Sequence, residues 1–93
     1  MASRGPVTEP EILPSARKHG ISDERMRYVV RTCPMPLDHP AGNGQVIYLG
    51  PDQRGVPLEV AAFQDDDGQI AIIHAMRLRA SYKATYEEVM RWL

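Results

Sequence analysis

Ninety-three residues can enclose one modest hydrophobic core and leave no room for a second independent module. Charged residues make up 25% and hydrophobic residues 43%, the balance of an ordinary soluble globular chain. A formal net charge of −1 argues against a generic polyanion binder, which would be basic.

That charge is unevenly spread. Residues 15–31 carry five Arg/Lys against two Asp/Glu, and residues 71–93 carry four against two. Residues 32–70 carry one, Arg54, against six acids. If the two ends pack side by side, one face of the molecule becomes basic. Cys33 stands alone, so no internal disulfide is possible and a reducing compartment is the default. His19, His39 and His74 are scattered, with no Cys or carboxylate at metal-ligand spacing, so no zinc site and no cofactor are expected. Asp65-Asp66-Asp67-Gly68 superficially suggests calcium, but it lacks the alternating ligands and distant Glu of an EF-hand and reads as a turn. No apolar run approaches the length of a membrane span, and residues 1–6 do not form a signal peptide; a cytoplasmic protein is expected.

Along the chain, residues 1–8 read as a flexible start and 9–93 as one domain. Glu9 to His19 forms a short helix, weakened by Pro14, that turns Ile12, Leu13 and Ala16 inward and ends at Gly20. Ser22 caps a second helix whose first turn holds Asp23 and Glu24. Its inward stripe is Met26, Val29 and Val30, with Arg25, Arg27 and Arg31 on the other faces; Pro34 and Pro36 stop it. After a loop over 40–44 come strands at Gln45–Leu49, Val56–Gln64 and Ile70–Leu78, with a short strand near Leu37–His39 before them. Gly50–Gly55 and Asp65–Gly68 are turns of hairpin length. A closing helix, Tyr82–Leu93, aligns Tyr82, Tyr86, Val89 and Leu93 on one stripe. The expected fold class is α+β: a small antiparallel meander packed by two N-terminal helices and one C-terminal helix.

The chemistry concentrates near the end of that meander. An imidazole (His74), two guanidinium groups (Arg77, Arg79), an ammonium (Lys83) and a phenol (Tyr86) fall between residues 74 and 86. Arginine offers a planar fork of donors suited to phosphate oxygens, and His or Tyr can move protons in phosphodiester chemistry. Strict alternation puts Arg77 and Arg79 on a face with Ala71, Ile73 and Ala75, where small side chains leave room for a substrate. The same alternation puts His74 with Ile70, Ile72, Met76 and Leu78, as a hydrogen-bonded core histidine, unless a bulge or twist near Ala75 reverses it. Bland alternatives stand beside these roles. Arg77, Arg79 and Lys83 can be solvated charges, Tyr86 can be core, and Lys18 and His19 can be cations closing a helix.

Order and residues together resemble a known family. Lys18-His19-Gly20-Ile21-Ser22 is similar to the Lys-His-Gly-(Ile/Val)-Ser signature of BrnT-type toxins, small RelE-fold ribonucleases of bacterial type II toxin–antitoxin systems. The meander ending in Ile73-His74-Ala75, with Tyr86 twelve residues beyond His74, matches as well. The resemblance spans residues 15–88. Where the family often has Ser-Ala-Arg, this chain has His74-Ala75-Met76, and the arginine arrives one position later, at Arg77. The resemblance implies a RelE-like fold and a metal-independent endoribonuclease that attacks through the 2′-hydroxyl and arrests translation. Arg77 and Arg79 would bind and stabilise phosphate, Lys18, His19 and Lys83 would hold RNA, free or on the ribosome, and His74 or Tyr86 would move a proton. Its partner would be a small DNA-binding antitoxin encoded next to it. Two other functions stay open: inhibition of DNA gyrase without hydrolysis on the same scaffold, and a non-toxic binding module.

Overall fold

The computed structural model describes residues 9–92; the expectations for residues 1–8 and for Leu93 lie outside them. In chain order the elements are β1 (Glu11–Ile12), a 3-10 helix (Pro14–His19), α1 (Asp23–Thr32), β2 (Leu37–Asp38), β3 (Gln45–Pro51), β4 (Pro57–Gln64), β5 (Ile70–Arg77), a second 3-10 helix (Ala80–Tyr82) and α2 (Lys83–Met90). The strands form one five-stranded sheet in the order β1-β5-β4-β3-β2. All neighbours are antiparallel except β1 and β5, so the sheet is mixed where the sequence predicts a purely antiparallel meander. Among the described residues, no helix is long and apolar enough to cross a membrane.

The first predicted helix is the largest departure, and Pro14 explains it. A residue before proline is driven out of the α region by the pyrrolidine ring. Leu13 accordingly sits at φ −82°, ψ 155°. The chain ahead of it is therefore extended and adds a parallel edge strand to β5, while the turns after it are 3-10. Ile12 and Ala16 are buried as expected. Gly20, at φ +77°, then ends the 3-10 helix in a left-handed conformation that costs glycine little. Ser22 caps α1, its Oγ accepting the Arg25 N–H at 3.3 Å.

Both hairpin turns share one device. In the first, Asp52 Oδ1 accepts N–H groups from Arg54 (2.8 Å) and Val56 (2.9 Å). In the second, Asp65 Oδ1 accepts those of Asp67 and Gln69, each at 2.9 Å. Gly55 and Gly68, at φ +85° and +82°, close the two turns. The Asp65–Gly68 segment is thus a turn, as its composition predicts. Asp52 differs in being buried, and Arg25 of α1 donates to its other oxygen from 2.7 Å.

Helices cover the two faces of the sheet unequally. On one face Ala16, Ile21, Met26 and Val29 pack on Tyr48, Leu58, Val60, Ala62, Ile72 and Ala75. On the other, α2 contributes one fully buried side chain, Val89, against Ile47 and Leu49, with Tyr82, Tyr86 and Met90 partly buried around it. Burying one such side chain contributes only about 1.5–3 kcal/mol. The short α2 consequently leaves part of its face of the sheet open. The cations of residues 15–31 do not gather there. Arg17 pairs with Asp23, Arg25 with Asp52 and Arg27 with Glu9, and α1 lies behind the sheet. The two ends of the chain therefore do not merge into one basic face.

A bulge decides which side chains reach the open face. Ala61 pairs with His74 and Ala62 with Ile72, which leaves Ile73 unpaired. The edge of the sheet satisfies its carbonyls: Leu13 N–H donates to Ile72 O at 2.9 Å, and the Ser15 hydroxyl donates to Ile73 O at 2.7 Å. Beyond the bulge the facing of β5 is inverted relative to strict alternation. Ile72 and Ala75 both enter the core behind the sheet, while His74 parts from Ile70 and Ile72 and turns to the open side. Ala75, predicted to floor a substrate surface, is fully buried.

Candidate functional site

The open face centres on a buried acid. Glu59 interrupts the apolar run Leu58–Ala62 of β4 and faces the same side as Ala61, opposite Val60. Its side chain is only 2% exposed, yet both oxygens are fully engaged. His74 Nε2 is hydrogen-bonded to Oε1 at 3.1 Å. Arg79 donates to Oε1 from Nε at 2.9 Å, its Nη2 is ion-paired with the same oxygen at 2.7 Å, and its backbone N–H donates to Oε2 at 3.0 Å. Burial raises the Glu59 carboxyl, but the Arg79 side-chain and backbone bonds, the His74 bond and the guanidinium charge together outweigh it, holding the group below the ordinary carboxylate range. Hydrogen bonding to Glu59 and its charge raise Arg79 in turn.

Above this hub lies a cleft of about 150 Å³, lined by His74, Arg79, Tyr82, His39 and Gln45 around Glu59. Arg79 reaches it because the chain leaves β5 at Arg77 and turns into the second 3-10 helix, with Arg79 as the residue preceding that helix. The guanidinium carbon stands 5.8 Å from the centre of the Tyr82 ring, and 52% of the side chain remains in solvent. Nδ1 of His74 has no hydrogen-bond partner among the described residues. Edge-on to that ring, 5.7 Å between centroids, lies His19 from the first 3-10 helix. His39 accepts the Ala41 N–H on Nδ1 at 2.9 Å, which leaves its proton on Nε2. A second cleft of about 410 Å³ adjoins the first through Arg79 and is lined by Arg77, Lys83, Tyr86 and Glu87.

The predicted residues thus divide. His74 and Arg79 meet on Glu59, with His19 touching His74. Arg77, Lys83 and Tyr86 sit in the neighbouring cleft, and Arg77 does not share the placement of Arg79. Tyr86 is partly buried against the α2 cluster, and burial raises its phenol. Lys18 is exposed on the 3-10 helix and lines neither cleft. Sequence reasoning missed Glu59, His39, Gln45 and Tyr82 as parts of the site. For Glu59 a signal existed: a lone acid flanked by five apolar residues in a strand that pairs on both sides. For His39 none did, because the loop over 40–44 alone brings it across. No cluster of three or more His, Cys, Asp or Glu side chains arranged for a metal occurs among the described residues. No family model matches this chain, and no curated protein or solved structure does either.

Both buried carboxylates make stability depend on pH. For Asp52, burial raises the carboxyl, and the Val56 and Arg54 N–H groups with Arg25 more than offset it. Each group is depressed in the folded state, so its stabilising contribution is complete above the ordinary carboxylate range and is lost as pH falls through the lowered folded values. Urea midpoints should accordingly hold steady from neutral pH down to that range and then drop steeply. A midpoint that stays flat into strong acid would contradict the two ion pairs.

Proposed function

We propose that this chain is an endoribonuclease toxin of the RelE-like, BrnT type, cleaving RNA through the 2′-hydroxyl without a metal ion and arresting translation. The observation that carries the reading is the cleft in which a half-exposed imidazole and a guanidinium sit side by side on one buried carboxylate. Burying a carboxylate under an open cleft costs several kcal/mol that an apolar residue would not, and such groups concentrate at functional sites. In this reading the free Nδ1 of His74 takes the 2′-hydroxyl proton. O2′ then attacks phosphorus, and the bond from phosphorus to O5′ breaks. Arg79 keeps Nη1 and solvent-facing N–H bonds for the non-bridging oxygens of the phosphorane. Tyr82 and the Nε2–H of His39 are the donors on the cleft wall available to protonate O5′. Products are a 2′,3′-cyclic phosphate and a 5′-hydroxyl. Arg77 and Lys83, with Tyr86 of α2 on the wall of the second cleft, hold flanking phosphates; His19 restrains the His74 ring, and Lys18 adds a distant cation.

A small antitoxin, DNA-binding and encoded alongside, would neutralise the toxin in the cytoplasm by covering this face. Phe63, 41% exposed and opposite Gln45 on the same side of the sheet, extends that face beyond the cleft. Expression of the chain alone should slow growth while RNA is degraded within minutes, and co-expression of the neighbouring frame's product should prevent both. Growth arrest with intact RNA and altered DNA supercoiling would replace the ribonuclease with gyrase inhibition. No arrest and no RNA loss would leave a binding module.

A further inference from the structure

We infer that Glu59 is the positioning residue of the site: it sets the tautomer of His74 so that the lone pair used as base is the one on Nδ1. Oε1 of Glu59 lies 3.1 Å from His74 Nε2 and 2.9 Å from Arg79 Nε, both hydrogen bonds, and 2.7 Å from Arg79 Nη2 in an ion pair. A carboxylate ion-paired with that guanidinium is ionised and can only accept. A His74 carrying its proton on Nδ1 would present the Nε2 lone pair to a buried anion, leaving an oxygen–nitrogen repulsion where a hydrogen bond now stands. The Nε2–H tautomer is therefore selected, and the Nδ1 lone pair is left without a protein partner. Arg79 contributes by neutralising Glu59, so the carboxylate stays ionised and does not take the imidazole's proton itself. Orientation is fixed from a second side by the edge contact with His19, 5.7 Å between ring centroids. Glu59 is 2% exposed and its oxygens are already engaged, so it acts through His74 and Arg79.

Its consequence for cleavage rests on the ribonuclease reading; the tautomer itself rests on geometry alone. The experiment separates the two. Long-range proton–nitrogen NMR of the full chain, at a pH where the ring is neutral, reports which His74 nitrogen carries the proton. Wild-type protein should show it on Nε2. Glu59→Gln places an amide NH₂ or a neutral oxygen against those groups, so the proton should shift to Nδ1 or divide between both nitrogens. RNA cleavage by that variant should fall about 10²-fold or more in kcat with little change in KM, since substrate contacts remain. If Glu59→Gln does not fold, Glu59→Asp, which withdraws the oxygens by one methylene, should give the same shift toward a mixed tautomer. A wild-type proton on Nδ1, or a variant with unaltered tautomer and rate, overturns the inference while leaving the ribonuclease reading in place. A tautomer switch in protein that cleaves no RNA upholds the positioning role and ends the ribonuclease reading.

Discussion

Arg79→Ala is expected to lose both catalysis and stability, while Arg77→Ala keeps its stability and weakens RNA binding without abolishing cleavage. In the proposed mechanism, removing the Arg79 guanidinium takes a charge-assisted donor from the phosphorane, an expected cost of about 2–4 kcal/mol of transition-state stabilisation. It also strips a side-chain hydrogen bond and the ion pair from a carboxylate that is 2% exposed, leaving His74 and a backbone N–H as its remaining partners. Orphaning a buried charge costs up to about 5 kcal/mol. Because half of Arg79 lies in solvent, the discounted expectation is about 1–3 kcal/mol. Arg79→Lys should rescue neither fully, since an ammonium cannot reproduce the fork that spans Nε and Nη2. Arg77 is exposed at the end of β5 with no ion pair among the described residues, so its removal should change stability by no more than about 0.5 kcal/mol. Melting temperature and cleavage rate on the same purified variants decide the matter. Full cleavage by Arg79→Ala, or a dead Arg77→Ala with a healthy Arg79→Ala, would reverse the assignment.

His74→Ala should reduce cleavage by about 10²- to 10⁴-fold, the worth of a positioned general base. Its effect on folding should be small, about 1 kcal/mol or less, because the Glu59 oxygens keep both Arg79 hydrogen bonds and the ion pair when the imidazole is gone. A core histidine would behave in the opposite way, with the fold suffering first and activity falling only with it. Kinetics and urea unfolding of this one variant therefore separate the two roles.

Much of the strand and helix pattern was legible because local rules govern it: short runs at 45–49 and 56–64 bounded by turn residues, the Ser22 cap, and the Asp-x-x-Gly turns at 52–55 and 65–68. The mixed sheet was not, because pairing of β1 with β5 is a contact across sixty residues that no local period encodes. Pro14 carried half of that information. It forbade an α-helix through Leu13, but not what the freed segment would pair with. The site was half legible. Residue types named His74 and Arg79, yet their arrangement depends on the bulge at Ile73, and the bulge depends on Ser15 and Leu13 supplying donors from the edge. Strict alternation therefore grouped Arg79 with Arg77 over a buried Ala75 and placed His74 with the core isoleucines. Glu59 was counted as one of six acids in the middle of the chain. Its meaning appears only when Arg79, twenty residues on, folds back over it.

The most direct test of the central claim is cleavage by the purified chain. A short, end-labelled single-stranded RNA is incubated in excess chelator, and the product ends are identified by mass. Cleavage is expected under those conditions, with a 2′,3′-cyclic phosphate on one fragment and a 5′-hydroxyl on the other, and no cleavage where the 2′-hydroxyl at the scissile position is replaced by hydrogen. Intact RNA at high protein concentration, or cleavage that survives loss of the 2′-hydroxyl, would contradict that claim.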